Sequence, residues 1–210
     1  MGVIIKQIVS NPIDSNCFIL HQPNNQSCII IDPGAKQTTD VCEYIQNNNL
    51  KPEGILLTHE HFDHIWSVES LRNQFDCKLF ASKKCSDKII DSKKNLSLFY
   101  NNIGFKCESA DVFFDELGGF IDFSWIQIQV IFTPGHTEGS VCFSIEENLF
   151  SGDTILENIK TVVKLPGGNK YDLVNSVNSI LNRFDSNVNV YPGHGKSFLL
   201  SELEIEKLIN

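Results

Sequence analysis

No apolar run in this 210-residue chain approaches the roughly 20 residues that a membrane-spanning helix needs. The first residues, Met1 to Ile8, show no basic stretch leading into a long apolar one, so no signal peptide is expected. Positive charge is in deficit: 17 Lys and Arg stand against 26 Asp and Glu, a formal net charge of −9. Such a surface repels phosphate backbones and, more weakly, anionic membranes, which argues against nucleic acid and membrane as partners. No C-x-x-C pair occurs among the seven cysteines, Cys17, Cys28, Cys42, Cys77, Cys85, Cys107 and Cys142. Their number is odd and their spacings are scattered. Several lie in apolar runs, as Cys28 does before Ile29-Ile30-Ile31. Buried free thiols in a reducing compartment are expected, not a disulfide framework. The expectation is a cytoplasmic enzyme with a small-molecule substrate.

What is present is a good core. Hydrophobic residues make up 41%, with 15 Phe, and the length suits one large α/β domain over 1–210. Strands are expected at Val3 to Val9, Cys17 to Leu20, Ser27 to Asp32, Gly54 to Thr58, Lys78 to Ala81, Trp125 to Thr133, Ser140 to Ile145, Leu149 to Phe150 and Val188 to Tyr191. Helical spacing marks Thr38 to Asn48, Ile65 to Phe75 and Tyr171 to Phe184. Pro52 reads as the residue beyond a helix end, and Ser201 to Ile209 as a short surface helix. The stretch 82–106 reads as a helix plus a long irregular connection, either a substrate loop or a solvated excursion.

Five of the six histidines lie in three short motifs. The first, Thr58-His59-Glu60-His61-Phe62-Asp63-His64, places four ligand-type side chains in six residues. Imidazole and carboxylate are zinc ligands of similar reach. A polar loop accounts poorly for such density. His136 follows Pro134-Gly135, Asp153 follows Gly152, and His194 follows Pro192-Gly193. Each of these, taken alone, reads as a turn residue. All seven lie just past predicted strand ends, where α/β sheets collect ligands.

Together the motifs resemble the metallo-β-lactamase superfamily from end to end: H-x-H-x-D-H at 59–64, P-G-H-T at 134–137, S-G-D-T at 151–154 and Y-P-G-H-G at 191–195. The resemblance implies a four-layer αββα sandwich. It implies two divalent metal ions, zinc first, with iron or manganese as alternatives. One ion would be held by His59, His61 and His136, the second by Asp63, His64 and His194, with Asp153 bridging. A shared hydroxide would be the nucleophile, and Asp63 would orient it.

Within the superfamily the chain is most similar to short glyoxalase II-like hydrolases. Asn95-Leu96-Ser97, Leu117-Gly118-Gly119 and Pro166-Gly167-Gly168 carry that likeness, which implies thioester hydrolysis. One departure stands out. The family's Gly-Arg or Gly-Lys pair, whose cation binds a glutathione carboxylate, is Thr161-Val162 here. The chain is also too short for the C-terminal helical domain of full-length glyoxalase II. Another thioester, an ester or a lactone is therefore expected in place of a glutathione thioester. A mononuclear iron persulfide dioxygenase, using His59, His136 and Asp153, is the enzymatic rival. A non-catalytic metal-binding protein is the other alternative. Structural zinc sites are closed and rich in Cys, whereas no Cys falls in these motifs, which favours catalysis.

Overall fold

The computed structural model describes residues 2–114 and 118–209. Leu117, part of one glyoxalase II-like motif, lies outside the described residues. The chain divides into two compact units, Met1–Phe113 and Phe114–Asn210.

In the first unit β1 (Ile4–Val9), β2 (Asn16–His21), β3 (Ser27–Ile31), β4 (Lys51–Leu56), β5 (Lys78–Ala81) and β6 (Val112–Phe113) form one sheet in that order. The first three strands pair antiparallel, and β3 to β6 are parallel. The helices are α1 (Thr39–Asn47), α2 (Phe62–Ile65), α3 (Val68–Phe75), α4 (Lys83–Ile89) and α5 (Ser97–Asn101). Val41, Ile45, Ile65, Val68, Leu71, Cys85 and Ile89 from these helices form one core with Ile19, Ile30, Ile55 and Leu79 of the sheet. The alternate residues, Phe18, Leu20, Ile29, Ile31 and Leu56, are buried too. That is why the strands read as near-continuous apolar runs.

In the second unit β7 (Gly119–Phe123), β8 (Ile126–Phe132), β9 (Val141–Ile145), β10 (Asn148–Gly152), β11 (Asn189–Pro192) and β12 (Phe198–Leu199) form a sheet of order β12-β11-β10-β9-β8-β7. Only β10 and β11 pair parallel. Through the antiparallel β9, strand β8 also runs their way, so the C-terminal ends of β8, β10 and β11 share one edge. Helix α6 (Lys170–Arg183) buries Leu173, Ser176, Val177 and Ile180, the i, i+3, i+4, i+7 stripe of an amphipathic helix. Asn169 caps it, its Oδ1 accepting from the backbone of Tyr171 and Asp172.

Two expectations need correction, and one strand adds to them. Strand β4 begins at Lys51, so Pro52 lies inside it and not merely beyond α1. The ladder slips by one residue there: Cys28 pairs with Pro52 and Ile29 with Gly54. A bulge is where a strand tolerates a residue without an N–H. Strand β7, short and beginning at a glycine, was not foreseen; it pairs with β8 as a hairpin. The C-terminal segment is not one surface helix. It is a 3₁₀ turn, Leu200–Glu202, followed by α7 (Ile205–Ile209), and it buries Leu200 and Leu208 in the second core.

Candidate metal centre

The ligand block of the first unit begins two residues past β4, where parallel pairing has brought the ends of β3 and β4 together. Asp32 directly follows β3, buried and in a left-handed conformation (φ 49°). Its Oδ1 accepts from the Thr58 backbone N–H at 2.8 Å, and its Oδ2 accepts from the Thr58 hydroxyl at 2.5 Å. The Thr58 oxygen in turn lies 3.0 Å from His59 Nδ1, and Asp32 Oδ2 lies 3.0 Å from His64 Nδ1. With the hydroxyl proton given to Asp32, Thr58 can only accept from His59. A carboxylate can only accept from His64. Both rings are therefore protonated at Nδ1 and present the Nε2 lone pair.

The remaining donors gather in the same block. The rings of His59 and His61 are 4.8 Å apart, edge to face, and those of His59 and His64 are 4.2 Å apart. His64 Nε2 stands 3.9 Å from Asp63 Oδ2, and the Asp63 side chain is 14% exposed. The backbone of Asp63 is held on two sides. Ser15 Oγ donates to its carbonyl at 2.5 Å, and Gly34 approaches so closely that a Cβ there would lie 1.5 Å from the same oxygen. The Pro33-Gly34 turn is thus required by the position of Asp63 as well as by chain reversal. Glu60, between the first two histidines, is buried and paired with Lys88 of α4 at 2.9 Å.

The second unit presents His136, Asp153 and His194 from loops after β8, β10 and β11, at their shared edge. His136 Nδ1 donates to the Val162 carbonyl at 2.8 Å, which again makes Nε2 the nitrogen that could coordinate. Asp153 Oδ2 lies 3.6 Å from Nε2 of both His136 and His194. Two ligands at roughly 2.1 Å from one zinc, at a near-tetrahedral angle, stand roughly 3.4 Å apart. These separations suit coordination. The P-G-H turn is clamped onto α6: Gly135 accepts from Asn169 N at 2.8 Å, and Ser176 Oγ donates to the Pro134 carbonyl at 2.7 Å. The register shift between Phe150 and Gly152 re-aims Asp153, and Gly193 N donates to Gly152 O at 2.8 Å, tying the His194 loop to it.

Each predicted site residue thus falls in one of two sets, four at one edge of the first sheet and three at one edge of the second. Sequence reasoning missed Asp32 as a site residue. Its only signal was an acidic residue ending a fully apolar strand before Pro-Gly. Cys17, Cys28, Cys77, Cys85, Cys107 and Cys142 are buried, and burial pushes their thiols up, to about 12 for Cys28, Cys107 and Cys142. Among the described residues, none of the three clusters of ligand-type side chains includes a cysteine.

Histidine and carboxylate donors, with imidazoles fixed through Nδ1 at the C-terminal edges of mixed sheets, define a metal-binding α/β protein. The chain matches the metallo-beta-lactamase superfamily over residues 10–194, and it belongs to that superfamily. It is 29% identical over 202 residues to a Bacillus subtilis protein named probable metallo-hydrolase YqgX, covering 95% of this chain and 94% of that one. Among solved structures it is similar to the BLEG-1 B3 metallo-beta-lactamase, 27% identical over 95% of each chain with a TM-score of 0.89. It is also similar to TTHA1623 in a di-iron-bound form, 25% identical over 94% of this chain and 96% of that one, with a TM-score of 0.80. The fold is that of the superfamily, the α/β sandwich the motifs point to.

Proposed function

We propose that the protein is a dinuclear metal-dependent hydrolase that cleaves thioesters, in the manner of the glyoxalase II-like branch. The observation that carries the metal reading is the common orientation of His59, His64 and His136. Each has Nδ1 against an acceptor, which makes Nε2 the atom that would coordinate. His59, His61 and His136 would hold one ion, and Asp63, His64 and His194 the other. Asp153, with one oxygen equidistant from His136 and His194, would serve both.

Two such ions, when bound, polarise a carbonyl and lower the pKa of water from about 15.7 toward about 7. The chain's own residues supply position. Asp63, its backbone fixed by Ser15 and Gly34, orients the attacking water and accepts its proton. The water oxygen bonds to the acyl carbon, the C–S bond breaks, and the sulfur leaves with the electron pair and takes up a proton. The products are a carboxylic acid and a thiol. A soft thiolate leaving group suits zinc. Val162 supports a substrate other than a glutathione thioester: its carbonyl engages His136, and its half-exposed side chain has no charge to offer a carboxylate.

The likeness to a B3 metallo-beta-lactamase favours β-lactam hydrolysis as a second reading. Against it stands Asp153, because true β-lactamases usually lack a carboxylate at that position. Metal analysis and a panel of thioesters, lactones and a chromogenic β-lactam separate the readings. About two metal ions per chain and fastest turnover of a thioester are expected. One iron per chain, with oxygen uptake on a persulfide, would assign the dioxygenase instead. Asp63→Asn is expected to lower kcat by at least about 100-fold, the range for a lost general base, with the circular dichroism spectrum unchanged. Full activity in that variant would reject this mechanism.

A further inference from the structure

Phe62 stands between His61 and Asp63, half-buried and outside the core of its unit. Its ring stacks on Tyr100 at 4.8 Å with 30° between the planes. Trp66, one turn on, meets Phe62 and Tyr100 edge to face, each at 5.7 Å, and stacks on Phe105 at 5.3 Å. Four aromatic rings thus form a continuous wall that starts inside the ligand block. The wall is fixed. Buried Asn95 donates through Nδ2 to the carbonyls of Ile89 and Phe105, and its Oδ1 accepts from Ser97 N. Ser97 Oγ accepts from Phe105 N and donates to Phe105 O. The carbonyl of Asn95 accepts from Phe62 N at 2.9 Å, so the 91–105 excursion is anchored on the ligand block itself.

The same excursion exposes large apolar surface. Phe99 is 70% exposed, Tyr100 43% and Ile103 82%, within five residues. Large apolar side chains left this exposed so close together in the chain are what a binding surface for an apolar group offers. Tyr100 joins it to Phe62, whose neighbours in the chain are His61 and Asp63.

We infer that residues 99–105, with Phe62 and Trp66, form a specificity subsite for a flat aromatic or bulky hydrocarbon group of the substrate. The group sits on either the acyl or the thiol side of the scissile bond. The inference rests on the thioester reading for its kinetics but not for its binding. A preorganised aromatic face binds such a group without a cost of ordering the loop. Small hydroxyacyl groups would leave the wall uncovered.

The test uses the metal-loaded full chain and three thioesters: phenylacetyl and acetyl thioesters of one small thiol, and the acetyl thioester of benzyl mercaptan. An aryl-bearing substrate is expected to exceed the plain acetyl one in kcat/KM by about tenfold or more. The better of the two aryl substrates shows which side the wall reads. Tyr100→Ser, at an exposed position, should cut that preference about tenfold. Independently of turnover, phenylacetate but not acetate should quench Trp66 fluorescence saturably, read in a Trp125→Phe background, and Tyr100→Ser should abolish the quench. Saturable quenching with no thioester turnover would retain the subsite and reject the thioester reading. Equal kcat/KM for the three thioesters, or no saturable quench, overturns the subsite. So does a dimer that Phe99→Ser dissociates while phenylacetate has no effect, which would assign the face to a second copy.

Discussion

At the scale of single residues, Asp32 shows how one carboxylate sets the chemistry of two imidazoles. It receives His64 directly and His59 through the Thr58 hydroxyl. Its distance from both in the chain, 26 and 32 positions from Thr58 and His64, hides that role from any local pattern. The H-x-H-x-D-H block itself was legible because four candidate ligands fall within six residues, a density that a polar loop explains poorly. Replacing Asp32 by Asn keeps the shape but substitutes a neutral amide for the carboxylate. Loss of such an outer partner typically lowers metal affinity about 10–100-fold. A chelator competition titration on the Asp32→Asn variant checks this, and affinity equal to the parent would remove Asp32 from the site.

At the scale of elements, two glycines decide where loops can go. Gly34 gives Asp63 its room, and Gly135, at φ 145°, lets the P-G-H turn rest on the start of α6. A Cβ on Gly135 would stand 2.3 Å from the Leu173 Cα, a backbone atom that cannot swing aside. Gly135→Ala is expected to destabilise the fold by about 1–3 kcal/mol or more, the cost of overpacking. Urea unfolding measures it, and an unchanged midpoint would contradict the close packing described. Pro-Gly was legible as a turn signal, but the neighbour that makes Gly135 irreplaceable lies 38 residues away. Short elements escaped for a similar reason. Strand β7 owes its existence to the hairpin with β8, and Pro52 is tolerated in β4 only because the ladder slips beside it.

At the scale of the whole molecule, burial of the thiols links stability to pH. Unfolded cysteine ionises near about 8.5, while burial pushes Cys77 up to about 11 and Cys28, Cys107 and Cys142 up to about 12. The folded state thus holds protons that the unfolded state releases. Their contribution is fully present below about pH 8.5 and is lost as pH rises from there toward 11–12. Thermal unfolding should therefore show a falling midpoint between pH 8 and 10. Ellman's reagent should modify Cys42 rapidly in the native protein and all seven thiols in denaturant; fast native reaction of several would contradict the burial. The sequence by itself determined the secondary elements with strong apolar periodicity and singled out the seven candidate donor side chains, because both are written in local spacing. Only the tertiary structure decided which nitrogen each ring presents, where Asp63 is held, and that the 91–105 excursion is an anchored aromatic wall. Those outcomes depend on hydrogen bonds and contacts between residues far apart in the chain, which no local pattern encodes.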